Sequence, residues 1–417
     1  MNRQECLFHL KKGLEEEKMK MHAGWRRNAT LVMVLGALLG LGLALAAEET
    51  AQCFGHRIPA FKEVFIKLFK ASVEQMNLDQ LRTTSTQMSD TERAAISYYL
   101  GKEGHQQVRE GLPQEKRAFL DEKYQISTGI PPVQNFQAVY PHILAISNNN
   151  LGPDQLRKTL EALTPADLAS QSFYMGEDGR KALFSEMTLS GVEEVLNHTE
   201  DWTMIETGKR MHAQIQDYTC IMFKQERLGK DLQGVEKILL KYREKPKSIY
   251  MKWVDGPWTG RELLYNEALF GAGKVRVREK GVLGLAAVTI PVDWEIAKRG
   301  SNHMCTEIGM KYLLFMIEND YRKAIAKGQL QRKNDGITEV DGRKVYKEES
   351  WMPRDQKLGY YCYHMTHYID FLRSLEIKAE IYNWDDELQE SYIYTQIKLN
   401  PGLTDRDFDP ANPDYKL

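Results

Sequence analysis

The stretch Tyr218-Thr-Cys-Ile-Met-Phe-Lys-Gln-Glu-Arg227 decides the fold class of this chain, because β-branched, aromatic and polar residues follow one another along it. This composition is typical of a β-strand. Segments of the same character follow at 236–243, 248–254 and 261–266. In Lys274-Val-Arg-Val-Arg278, charged and apolar residues alternate, as in an antiparallel strand with one buried face. From about residue 216 onward, the sequence therefore predicts an antiparallel sheet.

The rest of this half adds a hairpin, three strands and one helix. Asp341-Gly342, between 337–340 and 343–346, is a strong hairpin signal, because both residues tolerate positive φ angles. Strands are predicted at 360–371, 377–384 and 390–399. A helix is predicted over roughly 309–326, and its apolar face should lie on the sheet. That face consists of Leu313, Leu314, Ile317, Tyr321 and Ile325.

Before residue 216 the pattern is helical, over about 57–213. An apolar stripe at helical spacing marks the first helix, and Ser89 with Glu92 forms the capping-box pattern of a later one. The stripe consists of Phe61, Val64, Phe65, Leu68 and Phe69. Two domains are therefore predicted, a helical domain at 57–213 and a sheet domain at 216–417, which agrees with the length of the chain.

An internal duplication runs through the helical region at a constant offset of 75 residues. Asp79-Gln-Leu-Arg82 recurs as Asp154-Gln-Leu-Arg157, and Ser97-Tyr-Tyr-Leu-Gly-Lys-Glu-Gly104 recurs as Ser172-Phe-Tyr-Met-Gly-Glu-Asp-Gly179. Two matching blocks in one register predict two copies of a helical unit. Each copy is expected to end a helix at its first glycine, Gly101 or Gly176. Duplicated helical units are more often scaffolds or docking surfaces than catalytic centres.

The N-terminal 47 residues have the pattern of an export signal. Residues 29–47 are uncharged and apolar, Arg26-Arg27 precedes them, and the small-x-small tripeptide Ala44-Leu45-Ala46 lies near their end. The sequence therefore predicts a signal peptide at 1–47, with Met21 as a possible start, and a linker at 48–56. It also predicts a periplasmic or outer-envelope location. The alternative is an uncleaved anchor at 29–47 in the inner membrane.

Charge and cysteine content restrict the possible partners. The formal net charge is −2, and residues 1–47 hold seven Lys and Arg against four Glu, so the part after residue 47 is the more acidic. This balance gives no reason to expect nucleic-acid binding. Cys220, Cys305 and Cys362 have long spacings without a zinc pattern, and an oxidising compartment permits a disulfide between two of them.

Specific residues of the sheet region resemble a known superfamily. Phe223-x-Gln225, an extended strand and then Lys245-Pro246-x-x-Ile249-x-x-Lys252-Trp253 resemble the opening of the bacterial lipoprotein-localisation (LolA/LolB-like) superfamily. One branch, a bacterial domain of unknown function, is more similar still. It shares Gly260-Arg261-Glu262 and the ending Leu403-Thr-Asp-x-Asp-Phe408 with Asn412-Pro413. The resemblance covers about 217–417.

The resemblance implies a half-open antiparallel barrel around an apolar cavity, with helices as a lid. In the carriers of the superfamily, such a barrel shelters acyl chains of lipoproteins while they cross the periplasm. Where the carriers hold an Arg that controls lid opening, this chain has Lys245, whose ammonium lacks the planar fork of donors. The predicted fold class is α+β, a duplicated all-α region followed by this LolA-like barrel.

Candidate ligand-binding residues follow from the apolar faces of the strands and of the covering helix, together with the fold that the resemblance implies. The cavity candidates are Phe223, Tyr250, Trp253, Leu263, Tyr265 and Leu314. The candidates for a polar rim that recognises a head group are Arg227, Arg243, Lys245 and Arg261. The alternative role of these charges is cross-strand ion pairing. His364-Met-Thr-His367 is a poor metal pair, because residues three apart on a strand face opposite sides.

The sequence predicts non-enzymatic binding of a lipid, a lipoprotein acyl chain or another amphiphile in the barrel. No catalytic residue, cofactor or metal is predicted, because phosphate-loop and nucleophile motifs are missing after residue 47. The uncharged apolar segment 281–291 is predicted as a buried loop-to-strand segment or as a mobile flap at the cavity mouth. The alternative function is an envelope scaffold that docks a protein partner through the helical repeats.

Overall fold

The computed structural model describes residues 52–53, 56–126, 131–281 and 286–417. The predicted signal peptide or anchor lies outside these residues, as does part of the segment 281–291. Two short strands come first, β1 Gln52–Cys53 and β2 His56–Arg57, paired antiparallel. Within the described ranges, no helix is both long and apolar enough to cross a membrane.

Helices fill the described chain from residue 61 to residue 214. They are α1 Phe61–Gln75, α2 Leu78–Gln87, α3 Asp90–Arg109, α4 Gln114–Lys123, α5 Phe136–Asn150, α6 Pro153–Glu161, α7 Pro165–Glu186, α8 Leu189–Asn197 and α9 Asp201–Gln214. The predicted stripe of α1 faces the core, where Val64, Phe65 and Leu68 are buried. Ser89 and Glu92 form the predicted capping box at the start of α3. The helical character of this region is confirmed.

Equivalent residues of the two repeated blocks pair with each other in a local twofold arrangement. Gln80 of α2 donates to Oε1 of Gln155 of α6 (2.8 Å), and Gln155 donates back to Oε1 of Gln80 (3.0 Å). Gln80 also donates to the carbonyl of Asn150, and Gln155 donates to the carbonyl of Gln75. The offset of 75 relates both the two donors and the two acceptors. The two repeated blocks therefore contact each other through equivalent residues, as around a local pseudo-twofold axis.

Glycines interrupt the long helix of each copy at the same place. Gly101 in α3 has φ 60 and ψ −175, and Gly176 in α7 has φ 66 and ψ −172. This backbone region is accessible to glycine and hardly to other residues. The glycines at which helix ends were predicted are kinks inside α3 and α7, and each helix continues directly after its glycine.

Twelve strands form one antiparallel sheet in the described part that follows residue 216. They are β3 Asp217–Leu228, β4 Asp231–Leu232, β5 Glu236–Arg243, β6 Ser248–Asp255, β7 Glu262–Asn266, β8 Lys274–Arg278, β9 Val288–Pro291, β10 Gln331–Val340, β11 Arg343–Trp351, β12 His364–Asp370, β13 Leu375–Tyr382 and β14 Leu388–Leu399. Their order is β10-β11-β12-β13-β14-β3-β5-β6-β7-β8-β9, with β4 beside β3. The edge strands β10 and β9 do not pair, so the barrel is not closed. The predicted α+β fold class is confirmed.

The inner face of the sheet is covered by the chain itself. The helix α12, Met310–Ala326, buries the predicted residues Leu313, Ile317 and Tyr321 in one core with the inward side chains of the strands. Two short helices, α10 Glu267–Phe270 and α11 Glu295–Lys298, precede it. The predicted hairpin at Asp341 and Gly342 is confirmed, with φ 52 and φ 71. Helices and sheet belong to one unit, Thr50–Leu417.

The three cysteines after residue 200 are separate from one another. Cys220, Cys305 and Cys362 are all buried and free, so none of them forms the disulfide that the sequence permits. Burial raises the pKa of each thiol. A buried thiol with a raised pKa is a poor nucleophile, and these three side chains serve as small apolar groups of the core.

Candidate functional site

A cavity of about 130 Å³ lies where the helical region meets α12 and the strands β11–β13. We call it the junction cavity. Leucines of α1, α5, α6 and α7 line one side of it, and Leu314 and Ile317 of α12 line the other. An engineered apolar cavity of about 150 Å³ binds benzene, so the junction cavity has room for a ring or for several carbons of a chain.

The sheet side of the junction cavity carries a buried ionic network. Nη1 of Arg332 on β10 lies 3.1 Å from Oε2 of Glu348 on β11 and 2.9 Å from Oδ1 of Asp201, the first residue of α9. The same guanidinium donates to the carbonyl of Thr199 (3.2 Å). Burial raises the pKa of Glu348 to about 7, although the Arg332 guanidinium opposes the shift. Arg332 therefore ties the helical region to the sheet.

His367 of β12 extends this network. Nδ1 of His367 is 2.7 Å from Oε1 of Glu376, and Nε2 is 3.0 Å from both Oη of Tyr321 and Oγ of Ser350. Burial lowers the pKa of His367, but the carboxylates of Glu376, Glu348 and Asp201 together outweigh burial, so the pKa is raised overall. His367 thus pairs with Glu376 in the cavity wall.

Four buried side chains that line the junction cavity have a hydrogen-bond donor atom without a partner among the described residues. These atoms are Gln171 Nε2, Arg180 Nε, Thr203 Oγ1 and Ser374 Oγ. Each of them can donate a hydrogen bond. Buried donors without partners are uncommon and costly, so their concentration here marks a place where a ligand would satisfy them.

Replacing Glu348 by Gln is expected to flatten the dependence of stability on pH between about 4.5 and 7. The folded state holds the proton of Glu348 more tightly than the unfolded state, so the free energy of unfolding falls as pH rises through this window. The shift corresponds to a loss of about 3 kcal/mol across the window. Urea unfolding between about pH 5 and about pH 8 measures the two curves.

Glu349→Gln is the matched control for this prediction. Glu349 follows Glu348 on the same strand and is only half-buried. Its variant should show the same decline of stability with pH as the wild type. Parallel curves for the wild type and Glu348→Gln would contradict the raised pKa of Glu348.

A second cavity of about 40 Å³ lies inside the half-open barrel and is lined by charged groups. We call it the barrel cavity. Lys224 Nζ lies 3.4 Å from Glu226 Oε1 and 3.3 Å from Glu236 Oε1. Glu226 also accepts from the backbone amide of Asn302 (2.6 Å), and Arg261 donates to carbonyls at 296 and 299 (both 2.7 Å). The segment 296–303 is therefore held inside the barrel and occupies space that an acyl chain would need.

The six predicted cavity residues are not brought together. Trp253 and Leu263 line the barrel cavity, and Tyr265 is buried in the same inner core. Leu314 lines the junction cavity instead. Ligand binding by any of these residues stays a prediction, and the structure assigns them to two separate places.

The remaining two candidates, Phe223 and Tyr250, lie on the outer face of the sheet. Lys237 Nζ is 5.7 Å from the ring centroid of Phe223, and the ring of Tyr250 stacks on Tyr415 with centroids 3.8 Å apart. Side chains alternate along a strand, and Met222 of β3 points inward, so Phe223 points outward. This corrects the expectation that both residues line the inside of the barrel.

The four polar-rim candidates do not form one rim. Arg261 is buried inside the barrel, whereas Arg243 donates on the outer face to Oδ1 of Asp405 (2.7 Å). Arg227 donates to the first carbonyl of β14 (3.0 Å), and Lys245 is exposed. Three of them therefore hold segments of the chain in place, and a shared head-group site is not formed.

Sequence reasoning missed the junction cavity, because its walls come from elements that are far apart in the chain. One signal was present in the duplicated block. Gln171 and Arg180 flank its second copy, whereas Ile96 and His105 occupy the equivalent positions of the first copy. An amide and a guanidinium at positions that are otherwise apolar or neutral mark the second copy as different.

The histidine pair of β12 has separate partners. Nδ1 of His364 is 3.0 Å from Oδ1 of Asp386, and its ring stacks between Trp351 and Tyr382. His367 belongs to the buried network of the junction cavity instead. In the part of the chain that the structure describes, no group of three His, Cys, Asp or Glu is placed to hold a metal ion.

Comparison with known proteins gives similarities of the fold. No curated protein matches this sequence. The chain is similar to the Mycobacterium tuberculosis lipoprotein LppX (11% identity over 50% of this chain and 100% of that chain, TM-score 0.31). It is similar to a chain of the Pseudomonas aeruginosa MucA/MucB complex (17% identity, 48% of this chain and 57% of that chain, TM-score 0.28). A third similar structure is a putative outer membrane lipoprotein-sorting protein domain from Vibrio parahaemolyticus (14% identity, 49% of this chain and 95% of that chain, TM-score 0.25).

The sheet region also matches a family at the level of sequence. The predicted resemblance to a bacterial domain of unknown function, over about 217–417, is confirmed by this match. Residues 215–417 of this chain match the family described as protein of unknown function (DUF1571).

Proposed function

We propose that this protein binds the apolar part of a lipid, a lipoprotein acyl chain or another amphiphile, without catalysing a reaction, in the junction cavity. The observation that carries the proposal is the space of about 130 Å³ between the leucines of the helical region and Leu314 of α12. Transfer of apolar ligand surface from water into this space supplies the driving force. An envelope location, with export directed by residues 1–47, is part of the same proposal.

The filled barrel favours the junction cavity over the barrel interior. Leu313, Ile317 and Tyr321 of α12 already pack against the inner face of the sheet. Arg261 fixes the segment 296–303 beside them. A ligand on the inner face would have to displace these contacts, whereas the junction cavity offers space that is already formed. A long acyl chain would need α9 or α12 to move outward.

Native mass spectrometry of the exported chain tests this proposal, after gentle purification from the periplasm of a Gram-negative host. We expect a reproducible adduct that is released as a fatty acid, a phospholipid or a lipopeptide. A clean mass without adduct after incubation with envelope lipids would overturn the proposal. A stoichiometric protein partner that depends on residues 57–213 would then favour the envelope scaffold.

Replacing Leu314 by Trp is expected to reduce retention of the adduct at least about tenfold, because the larger side chain fills the cavity. Native mass spectrometry at matched protein concentration measures the bound fraction. Phe315→Trp is the matched control, since Phe315 is the next residue of α12 and is 45% exposed. Thermal unfolding confirms that both variants are folded. Equal retention by both variants and the wild type would contradict binding in the junction cavity.

A further inference from the structure

We infer that the ligand of the junction cavity presents an uncharged acyl carbonyl, as in a carboxylic ester or amide, to four buried donors. These donors are Gln171, Arg180, Thr203 and Ser374, which we call the donor cluster. All four residues are at least nine-tenths buried. The inference rests on the proposed function and adds the chemistry of the polar end of the ligand.

The donor cluster lies where α7, α9 and the turn after β12 meet. Nη1 of Arg180 in α7 donates to a backbone carbonyl of the turn (3.2 Å). Oγ of Ser172 in α7 is 3.2 Å from Oγ1 of Thr207 in α9. A Cβ on Gly208 of α9 would lie 3.5 Å from the carbonyl oxygen of Ser374 in the turn. The three elements contact one another pairwise, and all four residues of the donor cluster line the junction cavity.

Each residue of the donor cluster keeps one donor free. Oε1 of Gln171 accepts from the hydroxyl of Tyr140, and Nε2 of Gln171 has no partner among the described residues. Arg180 uses Nη1 on the turn and Nη2 on Glu177 (3.2 Å), and Nε has no partner there either. The hydroxyls of Thr203 and Ser374 complete the set. A carbonyl oxygen with two lone pairs can accept from two such donors.

The charges around the cavity favour an acceptor without charge. The basic side chains of the cavity wall already have carboxylate partners, because Arg180 pairs with Glu177 and His367 with Glu376. Arg332 pairs with both Asp201 and Glu348. A carboxylate ligand would add negative charge to a wall that already holds three carboxyl groups. An ammonium would bring further donors and no acceptor. An ester or amide carbonyl satisfies the donors and leaves the paired charges undisturbed.

Comparison of the two copies of the helical unit supports a role specific to the second copy. Gln171 and Arg180 correspond to Ile96 and His105 at the offset of 75. Nε2 of His105 lies 3.3 Å from the carbonyl oxygen of Ser97 in its own helix, so the first copy satisfies this side chain internally. The second copy replaces an apolar side chain and an internally bonded one by donors that face a cavity.

Binding of eight-carbon probes tests the inference. Methyl octanoate, sodium octanoate, octylamine and octane are compared by the ligand-dependent shift of the unfolding temperature, converted to affinities. We expect methyl octanoate to bind at least about tenfold more tightly than octane or octylamine, because only the ester satisfies the donors without adding charge. Octanoate should bind no more tightly than the ester at about pH 8.

A double variant and a control variant test whether the donor cluster causes the preference for the ester. Thr203→Val combined with Ser374→Ala removes two hydroxyls that have no hydrogen-bond partner among the described residues, so the stability of this variant should be unchanged or higher. The preference for methyl octanoate over octane should fall about tenfold. Thr207→Val is the control, because the Thr207 hydroxyl lines the same cavity and already donates to the carbonyl of Thr203 (2.7 Å).

The outcomes separate this inference from the proposed function. Equal affinities for methyl octanoate and octane, or a tighter complex with octanoate than with the ester, would overturn the acyl-carbonyl inference and leave amphiphile binding in place. An unchanged preference in the double variant would remove the Thr203 and Ser374 hydroxyls from ligand recognition and would overturn recognition by the donor cluster as a whole. If none of the four probes binds, the proposed function of the junction cavity itself is overturned.

Discussion

Replacing Arg332 by Met is expected to lower the free energy of unfolding by about 3–5 kcal/mol. The guanidinium lies 3.1 Å from the carboxylate of Glu348 and 2.9 Å from that of Asp201, and both carboxylates are largely buried. Met keeps the apolar volume of the arginine stem but leaves two carboxylates without this cation. Removal of one partner from a buried ion pair is costly because the remaining charge cannot be rehydrated in place.

The loss of stability in Arg332→Met should be larger near pH 8 than near pH 5. At the lower pH, Glu348, whose pKa is about 7, takes up a proton and no longer needs a counter-charge. Lys333→Met is the control, because Lys333 is the next residue of β10, is 62% exposed and pairs with Asp335 at the surface. The stability of Lys333→Met should stay close to that of the wild type, because an exposed ion pair contributes little. Equal costs for the two variants in urea unfolding would contradict the role of Arg332.

The position of Arg332 links stability to the candidate site. Its partners Asp201 and Glu348 belong to α9 and β11, and both residues line the junction cavity. A change that separates α9 from the sheet therefore opens the same cavity that holds the donor cluster. We expect variants of this ionic network to alter ligand retention through the shape of the cavity, even though Arg332 is not proposed to touch the ligand.

The strands of the sheet could be predicted from local composition where apolar and polar residues alternate. The segments 236–243 and 274–278 coincide with β5 and β8. The hairpin strands were predicted only at 337–340 and 343–346, whereas β10 and β11 extend to residues 331 and 351. The added part of β10, from Gln331 to Asp335, is polar throughout, and its strand conformation comes from pairing with β11. Periodicity contains no signal for such a segment.

The direction of individual side chains could not be predicted where both faces of a strand are covered. Met222 of β3 packs into the inner core, and Tyr250 of β6 packs under the C-terminal segment on the outer face. Apolar residues therefore occur at both the inward-facing and the outward-facing positions of these strands, and the sequence pattern does not distinguish the inner face from the outer face. The α+β fold class was therefore predicted correctly, whereas the face of the sheet on which Phe223 and Tyr250 lie was not.

The candidate site depends on contacts between distant elements, which explains why the sequence did not reveal it. Arg180 and the turn at Phe371 are 191 residues apart in the chain and share a hydrogen bond of 3.2 Å. Local patterns fix the apolar faces of the helices and of the sheet. They do not determine where two such faces leave space between them, since that depends on packing of the whole unit.

Replacing Arg261 by Met is expected to lower the free energy of unfolding by about 3–5 kcal/mol and to release the segment 296–303 from the barrel. Arg261 is 2% exposed, donates to the carbonyls of Ile296 and Arg299 (both 2.7 Å), and lies 3.3 Å from the carboxylate of Glu279. Met cannot satisfy these acceptors, which stay buried. Urea unfolding measures the cost, and hydrogen exchange of the amides at 296–303 should become faster.

Lys245→Met separates this structural role of Arg261 from the predicted polar rim. Lys245 is also a rim candidate but is exposed, so its replacement should change stability by about 0.5 kcal/mol or less. If Arg261 instead recognised a head group, Arg261→Met would lose the bound adduct while stability and amide exchange stayed at wild-type values. That result would support a polar rim inside the barrel and would contradict the role of Arg261 in holding the segment 296–303. We expect a large loss of stability in Arg261→Met but not in Lys245→Met. The reason is that the buried guanidinium of Arg261 binds backbone carbonyls of the segment 296–303 and so holds this segment in place.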